Sequence, residues 1–521
     1  MESLRSRLKF GSKEEDVKLR KRKSQLYSRE DESPLKDGSL RAKVLAFCVV
    51  FRLINCVLVQ TSFVPDEYWQ SLEVSHRMVF NYGYLTWEWK AGIRGFLYPL
   101  FFAFIYKILH FINYDSVYLL IWLPRVVQAL LAAFADAKFF FLIRTLENSD
   151  VAKWTFFCHL CSWFSWFCCT RTLTNSTETT LTCLALFYFP LPGSKTCSSK
   201  KYLALVALAV IVRPTALILW FPLLIYHFWQ DERKLRLITH DYVPIGMLAV
   251  LTSALVDCLF YEKWTLVQLN FLKFNIFHGV ADFYGSHPWH WYLSQGFAVV
   301  IGPHLPFFLH GCALAFRRYK ILLVAVVWTI GVYSFLPHKE FRFIYPVLPL
   351  CMVFCGTSLA HLKAWRRAAA VALLVSNLVL ALYTGLIHQR GTLDVMSHVR
   401  ALCDVSDPQP DILFLMPCHS TPFYSHIHCP LKMRFLECPP DLGEEGYFDE
   451  AERFFNEPLQ WLKDSFPYKS SLPTHVALFD VLEKEISVFL KGNNFVRTAE
   501  IFHTHVPEGR VGGSIFIYER H

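Results

Sequence analysis

Charge is what this chain has least of. Lys, Arg, Asp and Glu make up 18% of its 521 residues, against about 25% in an ordinary soluble domain. Regular alternation of apolar and polar residues is also missing over most of its length. A soluble core of this size would show that alternation at helix or strand period. Phosphate-cradling glycine motifs of the P-loop or Gly-x-Gly-x-x-Gly type are absent, and so is any internal repeat. No cleavable signal peptide stands at the start. The first apolar run begins near Val44, behind the basic stretch Lys18-Leu-Arg-Lys-Arg-Lys23, so it reads as a signal anchor with a cytosolic N-terminus.

What is present is apolar surface in long runs. Hydrophobic residues reach 54% and mean hydropathy is +0.30. Runs of about 18 or more apolar residues are the requirement for a membrane span. They predict spans at 44–60, 96–112, 152–169, 177–192, 243–260, 297–316, 321–336, 343–362 and 368–388. Two longer stretches, 117–145 and 202–229, each contain a Pro-Arg or Arg-Pro pair (Pro124-Arg125 and Arg213-Pro214) and are expected to be hairpins or broken helices. The expected fold is thus an all-α polytopic membrane protein of 11–13 transmembrane helices, the full tally giving about 13 crossings. Residues 1–43 are polar and expected to be disordered, 44–389 form the membrane domain, and 390–521 form a separate lumenal domain.

The formal net charge of +9 divides unevenly, into −7 over 390–521 and +16 over the remainder. The basic residues lie in loops between apolar runs, where they determine topology; nucleic-acid binding does not follow from them. Placing the clusters Lys195–Lys201, Arg233–Arg236, Arg317–Lys320 and Lys363–Arg367 in the cytosol puts 61–95, 170–176, the Arg213 turn, 261–296, 337–342 and the tail on the lumenal side. Those segments are the ones richest in acidic, His, Trp and Arg residues.

The tail alternates between strand-like runs (411–415, 475–479, 514–518) and helical stretches near 449–465 and 480–490, a small α/β unit. Twelve of the 16 Cys lie before residue 390 and read as small membrane-packing residues. Cys403, Cys418, Cys429 and Cys438 lie in the tail and permit one or two disulfides of open pairing. Ligand-type His residues stand beside them, but a disulfide or folded polar loop is the commoner use of such a cluster.

Five polar segments at the lumenal membrane edge can carry chemistry. Asp66 and Glu67 follow the first span directly, a suitable place for a general base; simple solvation is the commoner fate of such acids. Glu73 lies further along the same loop. The run Pro337-His-Lys-Glu-Phe-Arg342 crowds His338, Lys339, Glu340 and Arg342 at one boundary. A Lys and an Arg there suit a phosphate leaving group, with Glu340 orienting them. His287 and His290 are three apart across a Pro, with Trp291 beside them, but no third ligand suggests a metal. Asn175-Ser-Thr177 is a glycosylation sequon pressed against a span start. Arg213, alone in an apolar stretch, must be paired or face a cavity; a donor phosphate, Glu178 or Glu67 can serve.

The segments Pro65–Glu73, Arg171–Glu178, Arg213–Thr215, His287–Tyr292 and His338–Arg342 occur in the order seen in the dolichyl-phosphate-mannose-dependent α-mannosyltransferases of the GT-C superfamily. The chain resembles that family over about residues 44–440, and the tail pieces Met416–Pro422 and Cys429–Pro440 are most similar to its branch acting on GPI-anchor precursors. The resemblance implies a multi-pass protein of the endoplasmic reticulum membrane with a lumenal site. It implies transfer of the third mannose, α-1,2-linked, from dolichyl-phosphate-mannose to a GPI-precursor glycolipid, with inversion and without a bound metal or cofactor. On that reading Asp66 is the base, supported by Glu67. His338, Lys339, Arg342 and Arg213 hold the donor phosphate. Glu340, Glu73, His287, His290, Trp291 and Glu178 support or bind substrate. Two alternatives stay open: a sister transferase acting on N-glycan precursors or adding the fourth GPI mannose, and a lipid transporter or scramblase.

Overall fold

A computed structural model describes residues 34–277, 283, 285–404, 409–440 and 447–521. The expected disordered tail lies outside these residues up to 33; from Pro34 the chain is already helical. The helices named below are α1 (Pro34–Leu58), α2 (Glu73–Phe80), α3 (Leu97–Phe111), α4 (Val117–Leu146), α5 (Ser149–Cys161), α6 (Thr174–Tyr188), α7 (Ser199–Val212), α8 (Ala216–Gln230), α9 (Val243–Tyr261), α10 (Leu305–Ala315), α11 (Lys320–Phe335), α12 (Leu348–His361), α13 (Arg366–Leu386) and α14 (Asp480–Gly492).

Among the described residues, five helical stretches are long and apolar enough to cross a membrane: Val117–Leu146, Lys234–Tyr261, Tyr292–Ala315, Phe341–His361 and Lys363–Asp404. Side-chain contacts sort the ends of the remaining passages. At one end Thr61 meets Thr384, Arg171 meets Thr61, and Asn175 meets both Arg213 and Arg342. At the other, Arg318 caps Leu146, Tyr319 meets Glu147, and Arg366 meets Asp150. Following the chain between these ends gives eleven passages among the described residues: α1, α4, α5 with its extension Trp163–Cys168, α6, α7, α8, α9, the segments ending in α10 and α12, α11, and α13. An odd number leaves the start of α1 and the tail on opposite sides.

Two expectations fail here, and both lower the count from 13. The stretch 117–145 is no hairpin: α4 is one helix of 30 residues with Pro124 inside it. Pro124 lies in the second turn, where few upstream carbonyls are disturbed. The stretch 202–229 does break, between α7 and α8 at Arg213-Pro214. The run 96–112 does not cross either. At about 22 Å, α3 is short of a hydrocarbon core of about 30 Å. Both its ends meet the same end of the bundle: the Phe96 amide donates to Asp257 at the close of α9, and the Tyr106 hydroxyl to the Leu120 carbonyl at the start of α4. One face of α3 (Tyr98, Phe102, Tyr106, Leu109) packs into the same core as tail residues Val395, Phe414 and Ile515. The opposite face leaves Phe104 and Phe111 exposed. An apolar amphipathic helix lying along the bundle end carries the composition of a short span.

One buried charge cluster inside the bundle is internally paired, as hydrocarbon surroundings favour. Arg52 Nε meets Asp136 at 2.6 Å and His159 meets the other Asp136 oxygen at 2.8 Å, all three buried.

The tail forms a five-stranded sheet, β1 (Asp411–Leu415), β2 (Lys432–Phe435), β3 (His475–Phe479), β4 (Phe495–Phe502) and β5 (Ser514–Arg520), in the order β2-β1-β3-β5-β4. β1 is parallel to β2 and β3; β5 is antiparallel to β3 and β4. α14 covers the face built from Leu413, Val476 and Phe516. Disulfides join Cys403 to Cys429 and Cys418 to Cys438. The second takes both sulfurs of the one close Cys-His-Cys group among the described residues, around His419, so it is not a ligand set for a metal.

Because α3 does not cross, the loop before it faces the same side as the tail. Lys90→Cys and Phe448→Cys, both at exposed positions, should show the same reactivity toward an impermeant maleimide in sealed microsomes. Labelling of only one of the two before the membrane is permeabilised would restore α3 as a span.

Candidate active site

The chain leaves α1 at Leu58 and turns through Pro65 into a buried π-helical turn, Tyr68–Leu72, that runs on into α2. This places Asp66 and Glu67 side by side with different surroundings. Glu67 is buried and meets Arg171 Nη1 at 2.8 Å. Arg171, itself fully buried, also donates to the carbonyls of Phe167 (2.7 Å) and Thr61 (2.5 Å). The Glu67 carbonyl accepts from Ser71 and Thr172. Arg171 and Thr172 thus tie the loop at Glu67 to the segment that opens α6. Glu67 therefore does not share the open position of Asp66, whose side chain stays 24% exposed.

Asp66 reaches 276 positions along the chain to Arg342 Nη1, at 2.5 Å. Arg342 is held on its other side by Glu340, Nε to Oε2 and Nη2 to Oε1, both at 2.7 Å. A guanidinium has five N–H donors; these contacts use three and leave one on each terminal nitrogen. His338 Nε2 lies 3.1 Å from Glu340, and its Nδ1 3.1 Å from the Gly285 carbonyl. Burial alone would push the Glu340 carboxyl up, but the Arg342 charge and the His338 contact hold it well below the usual carboxylate range. Burial works against the His338 cation too, yet Glu340 outweighs it and raises its pKa above 6.5. Glu340 therefore lends stability above ordinary carboxylate pKa values and loses it only in strong acid. His338 lends stability below pH 6.5 and loses it as pH rises through its raised value. Below pH 6.5 and above the carboxylate range both contributions are in place.

Arg213, in the break between α7 and α8, lies over the Phe343 ring at 5.0 Å and donates to Thr215 (2.8 Å) and Asn175 (3.1 Å), with Glu178 at 3.4 Å. Asn175 also donates from its amide nitrogen to the Arg342 carbonyl at 3.1 Å. Read in sequence as a sequon, Asn175 is a buried residue inside α6 that spans the two arginines. Only the polar crowding of 171–178 hinted at this. The Arg94–Glu88 pair (2.5 Å) also lies within electrostatic reach of Asp66 and Arg342 and was not singled out in sequence.

Several sequence candidates sit elsewhere. The Lys339 ammonium is buried and donates to the backbone carbonyls of Leu336 (2.5 Å), Pro337 (3.3 Å) and His287 (2.8 Å). A side chain spent on three carbonyls clamps its own loop to the 285–292 segment and is not directed at a phosphate. In that segment His287 stacks on Trp291 at 4.8 Å, Trp291 packs on Phe341, and His290 is exposed, beside Ser294 and edge-on to Trp289. These three residues pack the loops and do not converge with Asp66. Glu73 is fully buried and accepts from the amides of Phe423 (2.8 Å), Tyr424 (3.0 Å) and Ser425 (3.2 Å) and from the Ser425 hydroxyl (2.5 Å). It anchors the tail and is closed to substrate. Trp69 adds a second anchor, its indole N–H donating to the His419 and Thr421 carbonyls at 3.2 Å.

A chain and a helical bundle of this kind have counterparts among known proteins. The Alg9-like mannosyltransferase family model matches residues 43–428, and the chain belongs to that family. It is 64% identical over its whole length to the GPI alpha-1,2-mannosyltransferase 3 of Danio rerio, covering 98% of that protein. To the Homo sapiens protein of the same name it is 60% identical, over 97% of this chain and 92% of the other. To the Arabidopsis thaliana mannosyltransferase APTG1 it is 37% identical, over 92% of each. Among solved structures, ArnT from Cupriavidus metallidurans bound to undecaprenyl phosphate shares the fold, with TM-score 0.57, 13% identity and coverage of 91% and 97%. The apo oligosaccharyltransferase of Archaeoglobus fulgidus follows at TM-score 0.52 and 12% identity, covering 92% and 74%. The fold is therefore that of the GT-C glycosyltransferases.

Replacing Asn175 by Ala frees both arginines without touching either. Misplacement on that scale should cost about 10²-fold in kcat/KM for mannosyl transfer, with unchanged detergent-solution elution. Wild-type rates in Asn175→Ala would remove the residue from the site.

Proposed function

We propose that this chain is a GPI α-1,2-mannosyltransferase that adds the third mannose of the anchor precursor, working at the lumenal face of the endoplasmic reticulum membrane with dolichyl-phosphate-mannose as donor. Identity of 60–64% to proteins named for this activity supports the reaction class. The likeness in fold to a protein bound to undecaprenyl phosphate suits a polyprenyl-phosphate donor.

The observation that carries the chemistry is the Asp66–Arg342 pair. A β-mannosyl phosphate giving an α product requires one inverting displacement. The acceptor hydroxyl attacks C1 and loses its proton, and the C1–O bond to phosphate breaks, the electron pair leaving with dolichyl phosphate. Asp66 is the base that takes the proton. Arg342 meets the departing phosphate with its spare N–H groups, and Arg213 adds a second positive charge. In the unliganded protein the two partners neutralise each other. Binding of phosphate draws Arg342 away and frees the Asp66 carboxylate for the acceptor. Glu67 and Lys339 act only through the loops they hold. No cofactor takes part in this scheme.

The test is transfer of labelled mannose from dolichyl-phosphate-mannose to a two-mannose GPI precursor by purified protein. Wild type should form an α-1,2 linkage. Asp66→Asn should lose about 10²–10⁴-fold of the rate, with normal folding. Glu67→Gln should keep transfer and lower thermal stability. Full turnover in Asp66→Asn would remove it as base.

A further inference from the structure

The loop between α2 and α3 carries an ion pair beside the base. Arg94 donates from Nη2 and Nε to Glu88 Oε1, at 2.5 Å and 3.0 Å. A guanidinium has five N–H groups, so three remain, and none meets an acceptor among the described residues. Glu88 Oε2 receives one long contact, 3.5 Å, from the Gln70 carboxamide. The Arg94 and Glu88 side chains stay 25% and 18% exposed. The backbone of the loop is held by other groups: the Trp89 indole donates to the Trp69 carbonyl (3.2 Å), Asn270 to the Gly92 carbonyl (3.0 Å) and the Tyr261 hydroxyl to the Arg94 carbonyl (2.8 Å).

Position gives the pair its meaning. Gln70 stands four residues after Asp66 in one helical turn, so the two share a face. Its contact with Glu88 brings the ion pair to that face, and Arg94 feels the charges of both Asp66 and Arg342. On the other side of Asp66, Arg342 is joined through Asn175 to Arg213. An inverting displacement sets the attacking and departing oxygens on opposite sides of C1. With Arg342 and Arg213 on the departing phosphate, the attacking hydroxyl comes from the side of Asp66 that Gln70, Glu88 and Arg94 occupy.

The pair is neutral as a unit and has no excess attraction for a phosphate. It sets N–H donors beside a carboxylate acceptor, the pattern that neighbouring hydroxyls of a pyranose satisfy. We propose that Glu88 and Arg94 bind the hydroxyls that follow the reacting one around the acceptor mannose ring, with Gln70 holding Glu88 toward Asp66; this rests on the transfer reaction proposed above. The subsite selects the sugar that is extended, because an acceptor without those hydroxyls leaves polar groups of the site unpaired.

Steady-state kinetics of the purified full chain test this, with dolichyl-phosphate-mannose and a two-mannose GPI precursor varied separately. Glu88→Gln and Arg94→Lys should each raise the acceptor KM about 10-fold and leave the donor KM unchanged. A precursor whose terminal mannose lacks the hydroxyl at C3 should lose about as much with wild type. With Glu88→Gln it should lose little more, because that contact is already gone. An equal penalty for the missing hydroxyl in both proteins would overturn the proposal. So would a rise of both KM values together or a fall in kcat alone, the marks of a loop that has merely shifted. Absence of transfer by the wild type would sink the reaction itself and the subsite with it.

Discussion

The contact between Asp66 and Arg342 joins the first loop of the chain to the start of its tenth passage, and the rest of the site is arranged around it. An ion pair at a membrane boundary persists only if both partners are held. Here each is. Arg342 is gripped through two N–H groups by Glu340, and Asp66 is fixed by a neighbour, Glu67, buried against Arg171. One carboxylate of the adjacent pair is spent on structure so that the other can be left in reach of solvent. The same division runs through the second loop, where Lys339 is consumed by backbone carbonyls and Arg342 keeps free N–H groups.

The tail belongs to this arrangement although it carries none of the reacting groups. Glu73 and Trp69 lie in the helical turns that follow Asp66, and both grip the segment 419–425. The two disulfides stiffen that segment from either side. Fixing the tail therefore fixes the helix that presents Asp66, which gives the C-terminal domain a physical link to catalysis across 350 positions of sequence.

Much of this was legible beforehand. Long apolar runs announced a polytopic bundle, and the order of five polar segments pointed to the family. Three tail strands and both tail helical regions showed in their periodicity, whereas β2 and β4, with exposed Lys432, Arg434 and Arg497, lacked it. The helix α3 misled because Leu97–Phe111 buries one apolar face against protein and turns the other outward, a composition identical to that of a span. Roles within the loops were beyond reach for a different reason. Asp66 and Glu67 differ only in what packs around them, and that is decided by Arg342 and Arg171, 276 and 104 positions away; Lys339 is drawn off by carbonyls that include that of His287, 52 positions away. Asn175 stood only as one member of the polar run 171–178, with nothing in the run to mark it as the residue that reaches both arginines.

The account turns on Arg342 changing partners, from Asp66 in the free protein to phosphate in the complex. A structure of the full chain with dolichyl phosphate bound tests this directly. The expected result is a phosphate within hydrogen-bond distance of Arg342, with Asp66 released from its 2.5 Å contact and facing the acceptor side. A phosphate seated elsewhere, with the Asp66–Arg342 pair intact, would contradict it.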